Sequence, residues 1–279
     1  TLHAMLALVP AAQRATYQTE VLGVLPGKTD SYIDSRFMDA LVEAPRRPPP
    51  LMKTIYFAVD PASHAKSNIG LAALGIDPST GQFWLLGCAS VNLFRAENIK
   101  LNMVLTQFLK RLRADRALTE AEILPIIECN NNEIAAHSIL EMIQKEGQPM
   151  RNWVDKNVHQ KYITDKVGVW TTHETKRAAL LSLQGLLINT GRICISSTFF
   201  TADETSYSRH ASAVAPEEAL KILAQQLCRF RDTEKNEISG TAGGSEKDDV
   251  GMAMLIALYW INAIQRHEHT SNPADLQLL

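Results

Sequence analysis

Four acidic residues stand where carboxylate chemistry would need them. Asp60 closes the apolar run Thr54-Ile-Tyr-Phe-Ala-Val-Asp60, and Glu128 closes Ile123-Leu-Pro-Ile-Ile-Glu128. Asp248-Asp249 open the long apolar stretch from Val250 to Ile261. Acids at the tips of two buried strands and at the start of a helix can converge on one point. Carboxylates gathered in this way repel one another unless a cation neutralises them. Oxygen-only donors suit a hard divalent ion, and such an ion suits phosphodiester chemistry.

Each acid also has a plainer reading. Asp60 precedes Pro61 and can cap a turn with its own side chain. Glu128 can end its strand in solvent, although a strand buried on both faces leaves a terminal Glu in need of a partner or a cation. Asn130, Asn131 and Asn132 extend that polar rim. Asp248-Asp249 suit a first helical turn, where open amides and the helix dipole favour acids. The conjunction favours chemistry, because all three positions fall at element tips that this pattern puts on one edge. Of the two aspartates, Asp249 is the preferred ligand. It shares a helical stripe with Met252, Ala253, Ile256 and Trp260 that faces the sheet, leaving Asp248 as a supporting or alternative ligand.

The elements that must position these acids follow from periodicity. Thr54–Asp60 is an apolar strand. Ile69–Ile76 and Phe83–Val91 form a hairpin about Asp77-Pro-Ser-Thr-Gly81, whose Pro and Gly suit a tight reversal. Ile99, Met103, Leu105, Phe108, Leu109 and Leu112 have helical spacing across 96–113. A buried strand at 123–128, a helix over 133–145 and a strand at 167–171 come next. A helix then runs from 172 to Asn189, stopped by Gly191. A short strand at 192–196, a helix or helix-plus-strand over 216–230, a polar loop over 232–246 and a helix from about Asp248 to Arg266 complete the order. A hairpin followed by alternating strands and helices predicts an α/β fold, a mixed central sheet with helices on both faces.

Ala44-Pro-Arg-Arg-Pro-Pro-Pro50 reads as a stiff connector. Residues 1–43 hold amphipathic stretches but no complete core, so the expected division is 1–53 for the end of a preceding unit plus linker and 54–279 for the α/β unit. Beginning with such a piece, the chain reads as part of something longer. At 279 residues with 46% hydrophobic content and a net charge of −2, it can build a sizeable core and carry basic surface only locally. The scattered cysteines Cys88, Cys129, Cys194 and Cys228 lack zinc spacing and are expected as free thiols in a reducing compartment. No signal peptide and no apolar run of membrane-spanning length appears, so the expectation is a soluble intracellular protein.

Other chemistries lack their residues. Gly23-Val-Leu-Pro-Gly-Lys-Thr29 has three residues between its glycines where a phosphate loop has four. No pair of histidines shares a helix face at ligand spacing save the terminal His267 and His269, and no Gly-x-Ser-x-Gly elbow occurs. Positive charge gathers at Arg151/Lys156/Lys161/Lys166, at Lys176-Arg177 and at Arg229/Arg231/Lys235. Each group is equally a solvated face. If the acids are catalytic, some must hold a phosphate backbone, and Lys176, Arg177, Arg229 and Arg231 are the candidates.

Taken in order, Val59-Asp-Pro-Ala62, Asn68-Ile-Gly70, Ile127-Glu-Cys-Asn-Asn131 and Lys247-Asp-Asp-Val250 resemble the nuclease domain of viral DNA-packaging terminase large subunits. Gly168-Val-Trp-Thr-Thr172, Lys176-Arg177 and Leu187-Ile-Asn-Thr-Gly191-Arg-Ile, lying between them, resemble the strand-helix-strand of that family. The intervals are closest to the herpesvirus branch, and the resemblance covers roughly 54–265. It implies an RNase H-like fold and metal-dependent cutting of concatemeric double-stranded viral DNA into genome lengths. Catalytic acids then fall on Asp60, Glu128 and Asp249, with Asp248 beside them. Herpesvirus members usually show Glu-Gly-Asn where this chain has Glu128-Cys129-Asn130; the ligand is kept and a side chain is added next to it.

The mechanism expected from this resemblance uses two Mg²⁺ or Mn²⁺ ions about 4 Å apart. Asp60 bridges them, Glu128 holds one and Asp249 the other. The expected partners are DNA, other terminase subunits and the capsid portal, and the expected compartment is the host nucleus. Residues 1–43 then become the end of an ATPase motor. Two rivals stand beside this reading. One is a resolvase- or integrase-like nuclease on branched DNA, and the other is a docking module whose acids are structural.

Overall fold

Alternation along the strands decides how the molecule is layered. In the computed structural model the described residues are 31–43, 45–61, 68–92, 98–130, 132–146, 149–155, 158, 161–188, 192–200, 216–233, 237–240 and 248–270. Strand β1 (Thr54–Asp60) sends Ile55, Phe57 and Val59 to one face and Tyr56 and Ala58 to the other. Strands β2 (Asn68–Ile76), β3 (Phe83–Asn92), β4 (Glu122–Ile127) and β5 (Ile193–Phe200) complete a sheet of order β4-β1-β2-β3-β5. The pairs β1–β2 and β2–β3 are antiparallel, whereas β1–β4 and β3–β5 are parallel. This is the mixed sheet that the pattern of a hairpin followed by alternating elements predicts.

Helices α1 (Ser35–Glu43), α2 (Asn98–Ala114), α3 (Glu133–Lys145), α4 (His173–Ile188), α5 (Pro216–Leu227) and α6 (Asp249–Thr270) divide between the two faces. On one side Leu105, Phe108, Leu109 and Leu112 of α2 and Ala136, Ile139 and Ile143 of α3 close over Phe57, Leu71 and Ile127. Phe57 and Phe108 meet with ring centroids 5.3 Å apart, tilted by 52°. Truncating either buried ring would cost about 3–5 kcal/mol. On the other side α6 lies against β1 and β2, with α1, α4 and α5 packed outside it. Helix α6 is buried all round from Asp249 to Leu258, which its uninterrupted apolar sequence requires.

The hairpin turn is held by Asp77, whose carboxylate accepts from the Ser79 amide (2.9 Å), the Ser79 hydroxyl (2.6 Å) and the Thr80 hydroxyl (2.7 Å). Gly81 there has φ +70°, a conformation that costs glycine least.

Three elements differ from the sequence expectation. Strand β5 runs on to Phe200, past the expected end at 196, because its polar Ser196-Ser-Thr198 continuation pairs along an edge. The Ser197 amide donates to the Arg47 carbonyl at 2.7 Å, and the Arg47 amide donates to the Ile195 carbonyl at 3.1 Å. The connector at 45–50 therefore lies along the sheet edge, where its prolines deny a further strand its ladder. The expected strand at 167–171 is reduced to bridges at Gly168 and Val169, which flank Glu128 at the other edge. A two-residue strand pair, β6 (Arg231–Asp232) with β7 (Ile238–Ser239), appears within the expected polar loop.

Residues 31–43 enter the same core: Ile33, Met38 and Leu41 are buried with α5 and α6. Three of the four cysteines are buried free thiols, and Cys228 is half-buried. Among the described residues, no helix is long and apolar enough to cross a membrane.

Candidate metal centre

Period-two alternation carries the side of the sheet that faces α6 from Tyr56 and Ala58 to Asp60. In β4 the same parity runs through Leu124 and Ile126 to Glu128. Parallel pairing of Val59 with Ile127 puts Asp60 and Glu128 next to one another, and the Glu128 amide donates to the Val59 carbonyl at 3.0 Å. Their side chains are close enough for Glu128 to act on the Asp60 carboxyl. Burial, then the neighbouring charge of Glu128 and the fields of Asp249 and Asp248, push the Asp60 carboxyl well above its ordinary value.

Asp249 comes to the same place through glycine. Gly70 is the register partner of Asp60, and a Cβ on it would run into the backbone carbonyl of Asp249. The start of α6 thus rests directly on β2, with Asp249 itself only 6% exposed. Asp248 stands one residue outside the helix, and its carbonyl accepts from the Met252 amide at 2.8 Å. Burial raises the Asp248 carboxyl, while Lys176 and a hydrogen bond from the Gly240 amide pull it back part of the way. Asp248 therefore also serves as the helix-start residue of its plainer reading.

The structure thus brings Asp60, Glu128, Asp248 and Asp249 to one corner. Among the described residues, no three His, Cys, Asp or Glu side chains already form a cage able to hold a metal ion. The donor chemistry nevertheless fits Mg²⁺ or Mn²⁺, since every group is a hard oxygen donor and Glu128, Asp249 and Asp248 all act on Asp60 with negative field. A divalent cation bound there would offset the mutual repulsion of these acids.

Several supporting residues carry no signature in the sequence. The Gln226 side chain accepts from the Gly251 amide at 2.8 Å, satisfying one of the open donors of α6's first turn. Phe230 wedges against both Gly240 and Gly251, where a Cβ would stand 3.1 and 3.2 Å from its ring. Asn130 donates to the Thr171 carbonyl and accepts from its amide at 2.7 Å, which ties the 167–171 segment beside Glu128. Gly168 has φ +81°, and a Cβ there would strike the Ile127 carbonyl. Asn132 caps α3 by accepting from the Ala135 amide, whereas Asn131 lies outside the described residues. Gly70, by contrast, carries a sequence signal, as a glycine inside an apolar strand.

The basic candidates separate. Thr172 and Thr175 cap α4 reciprocally, each accepting from the other's amide, and the following turn brings Lys176 near enough to act on Asp248. Arg177 is turned to the protein itself, bonding Asp232 at 2.9 Å and the Tyr32 hydroxyl at 3.1 Å. Arg229 and Arg231 flank Phe230 and are half-buried.

No protein-family model and no curated protein matches the chain. Its fold is shared with solved structures. The human cytomegalovirus terminase nuclease domain, Mn-soaked and inhibitor-bound, superposes with a TM-score of 0.57 at 18% identity. That match covers 82% of this chain and 94% of the other. The Mn-soaked form without inhibitor gives 0.56 at 17% identity, covering 83% and 98%. A weaker likeness, 0.44 at 11% identity over 80% and 92%, is to the P22 large terminase nuclease domain. The first two show that this chain has the fold of the human cytomegalovirus terminase nuclease domain.

Proposed function

We propose that this chain is the metal-dependent endonuclease domain of a viral terminase large subunit of the herpesvirus type. It cuts concatemeric double-stranded DNA into genome lengths during packaging. The observation that carries the proposal is the shared parity of Asp60 and Glu128. It turns both acids to the sheet face on which α6 begins with Asp248 and Asp249. The Mn-soaked neighbours of the same fold support a divalent ion. In this reading residues 1–53 end a preceding ATPase unit with its linker, of which 31–43 pack on the nuclease core, and 54–279 are the nuclease. The partners are DNA, other terminase subunits and the capsid portal, and the site of action is the host-cell nucleus.

Asp60, Glu128 and Asp249 would hold two Mg²⁺ or Mn²⁺ ions, with Asp248 adjacent. Bound there, the ions supply an activated water and stabilise the departing 3′ oxygen. The chain's own part is positional. Gly70 lets α6 close on the sheet, Gln226 and Phe230 fix its first turn, and the apolar face behind Asp60 keeps bulk water away. Lys176 places positive charge at the rim, suited to a phosphate. Nothing in such a site reads base edges, so cutting is weakly sequence-specific.

The test is nicking of supercoiled plasmid with Mn²⁺, with chelator as control, by the parent and by Asp60→Asn. The expected result is Mn²⁺-dependent cutting that Asp60→Asn abolishes without unfolding. Cutting retained by that variant, or by the parent in chelator, would overturn the assignment.

A further inference from the structure

Tyr32 lies far in sequence from the carboxylates, yet four hydrogen bonds tie it to their support. Its amide donates to the Phe230 carbonyl at 3.0 Å, and the Gln184 side chain donates to its own carbonyl. Its hydroxyl donates to Asp232 Oδ2 at 2.8 Å and accepts from Arg177 Nε at 3.1 Å. Arg177 Nη2 closes the triangle on Asp232 Oδ1 at 2.9 Å. Burial raises the Tyr32 phenol above its ordinary value, so the hydroxyl stays a donor.

What this triangle holds is the segment 230–232, and that segment carries the Phe230 ring. The ring lies against Gly240, whose amide bonds Asp248, and against Gly251 in the first turn of α6. Downstream, the Ile238 amide donates to His173 Nδ1 at 3.2 Å, fastening β7 to the same end of α4 that bears Arg177. The path from Tyr32 to Asp248 is therefore short and made of packed or hydrogen-bonded groups throughout.

We infer that Tyr32 is a positioning residue of the metal centre: with Arg177 and Asp232 it clamps the Phe230 wedge that sets the first turn of α6, and thereby Asp248 and Asp249. The inference rests on reading those acids as metal ligands. It gives Arg177 a role within the protein in place of a DNA contact. It also makes the segment before α1 a handle on the site, since displacing that segment opens the clamp.

The test uses the whole chain and Tyr32→Phe, which removes one hydroxyl and keeps the ring. Mn²⁺ binding is measured by titration calorimetry, well below the melting temperature. Supporting groups behind ligands are worth about tenfold or more in metal affinity. The expected result is Mn²⁺ binding weakened by about that factor, with the melting temperature nearly unchanged. Arg177→Lys keeps the charge and loses the fork, and is expected to match it. Tyr259→Phe, further along α6, is the control and leaves binding as it was. Unchanged Mn²⁺ affinity in Tyr32→Phe overturns the clamp. If Tyr32→Phe does not fold, Arg177→Lys carries the same comparison. If the parent itself takes up no Mn²⁺, the reading of the acids as ligands fails. Amide exchange at Gly251 and Met252 then judges the clamp alone: faster exchange in Tyr32→Phe upholds it, and unchanged exchange ends it.

Discussion

The Asp249 carbonyl rests where a side chain on Gly70 would have to go, and Gly70 is the residue paired with Asp60 across β1 and β2. One missing Cβ therefore sets how closely the helix acid approaches the strand acid. Gly70→Ala is expected to push the first turn of α6 off the sheet. Overpacking of this kind costs about 1–3 kcal/mol, read as a lowered urea midpoint, and Mn²⁺ binding should weaken with it.

Metal binding should register as stability. At a concentration a hundred times its dissociation constant, a ligand adds about 2.7 kcal/mol to the folded state. Mn²⁺ is expected to raise the melting temperature of the parent and to leave that of Asp60→Asn unmoved. In chelator Asp60→Asn should be at least as stable as the parent, because it removes an acid that burial and its neighbours disfavour. A full Mn²⁺ shift in Asp60→Asn would count against Asp60 as a ligand.

Gln226 supplies the acceptor for the Gly251 amide from a side chain only 5% exposed. Gln226→Ala leaves that buried donor without its partner. The expected cost is about 1–3 kcal/mol by chemical denaturation, with the α6 first turn exchanging faster than the rest of the helix.

The hairpin turn should respond to acid. The Ser79 hydroxyl, then that of Thr80, hold the Asp77 carboxyl below its ordinary value of 3.8. A lowered folded pKa stabilises above the unfolded value, and that contribution is lost as pH falls through the folded one. Melting temperatures of parent and Asp77→Ala, followed from pH 6 to pH 2, should differ most at pH 6 and converge at the acid end. A constant gap across that range would refute the linkage.

Much of the fold was legible because its signals are periodic. Strand β1 falls where its unbroken apolar run puts it and helix α3 where 3.6-residue spacing does, and the Asp77–Gly81 turn carries its own punctuation. The juxtaposition of Asp60 with Glu128 was legible too, since each ends an apolar run. What stayed hidden depends on partners distant in the chain. The pairing of Arg47 with β5 leaves no mark in a proline-rich stretch. The Asn130 clip on Thr171 looks like any polar strand end. Arg177 reads as available positive charge until Tyr32 and Asp232 are seen to hold it, and Tyr32 sits in a segment whose amphipathic stretches do not say what they pack against.

Glu128 is one methylene longer than the aspartates it joins, and the sheet order gives that a meaning. Helix α6 begins over β2; β1 is one strand away and β4 is two. Adjacent strands are about 4.8 Å apart, so the acid on the outer strand has the widest gap to cross. The choice between Asp and Glu at these positions is then a ruler cut to strand distance. Exchanging the two lengths, with Glu at 60 and Asp at 128, would keep the total charge and lose the shared focus.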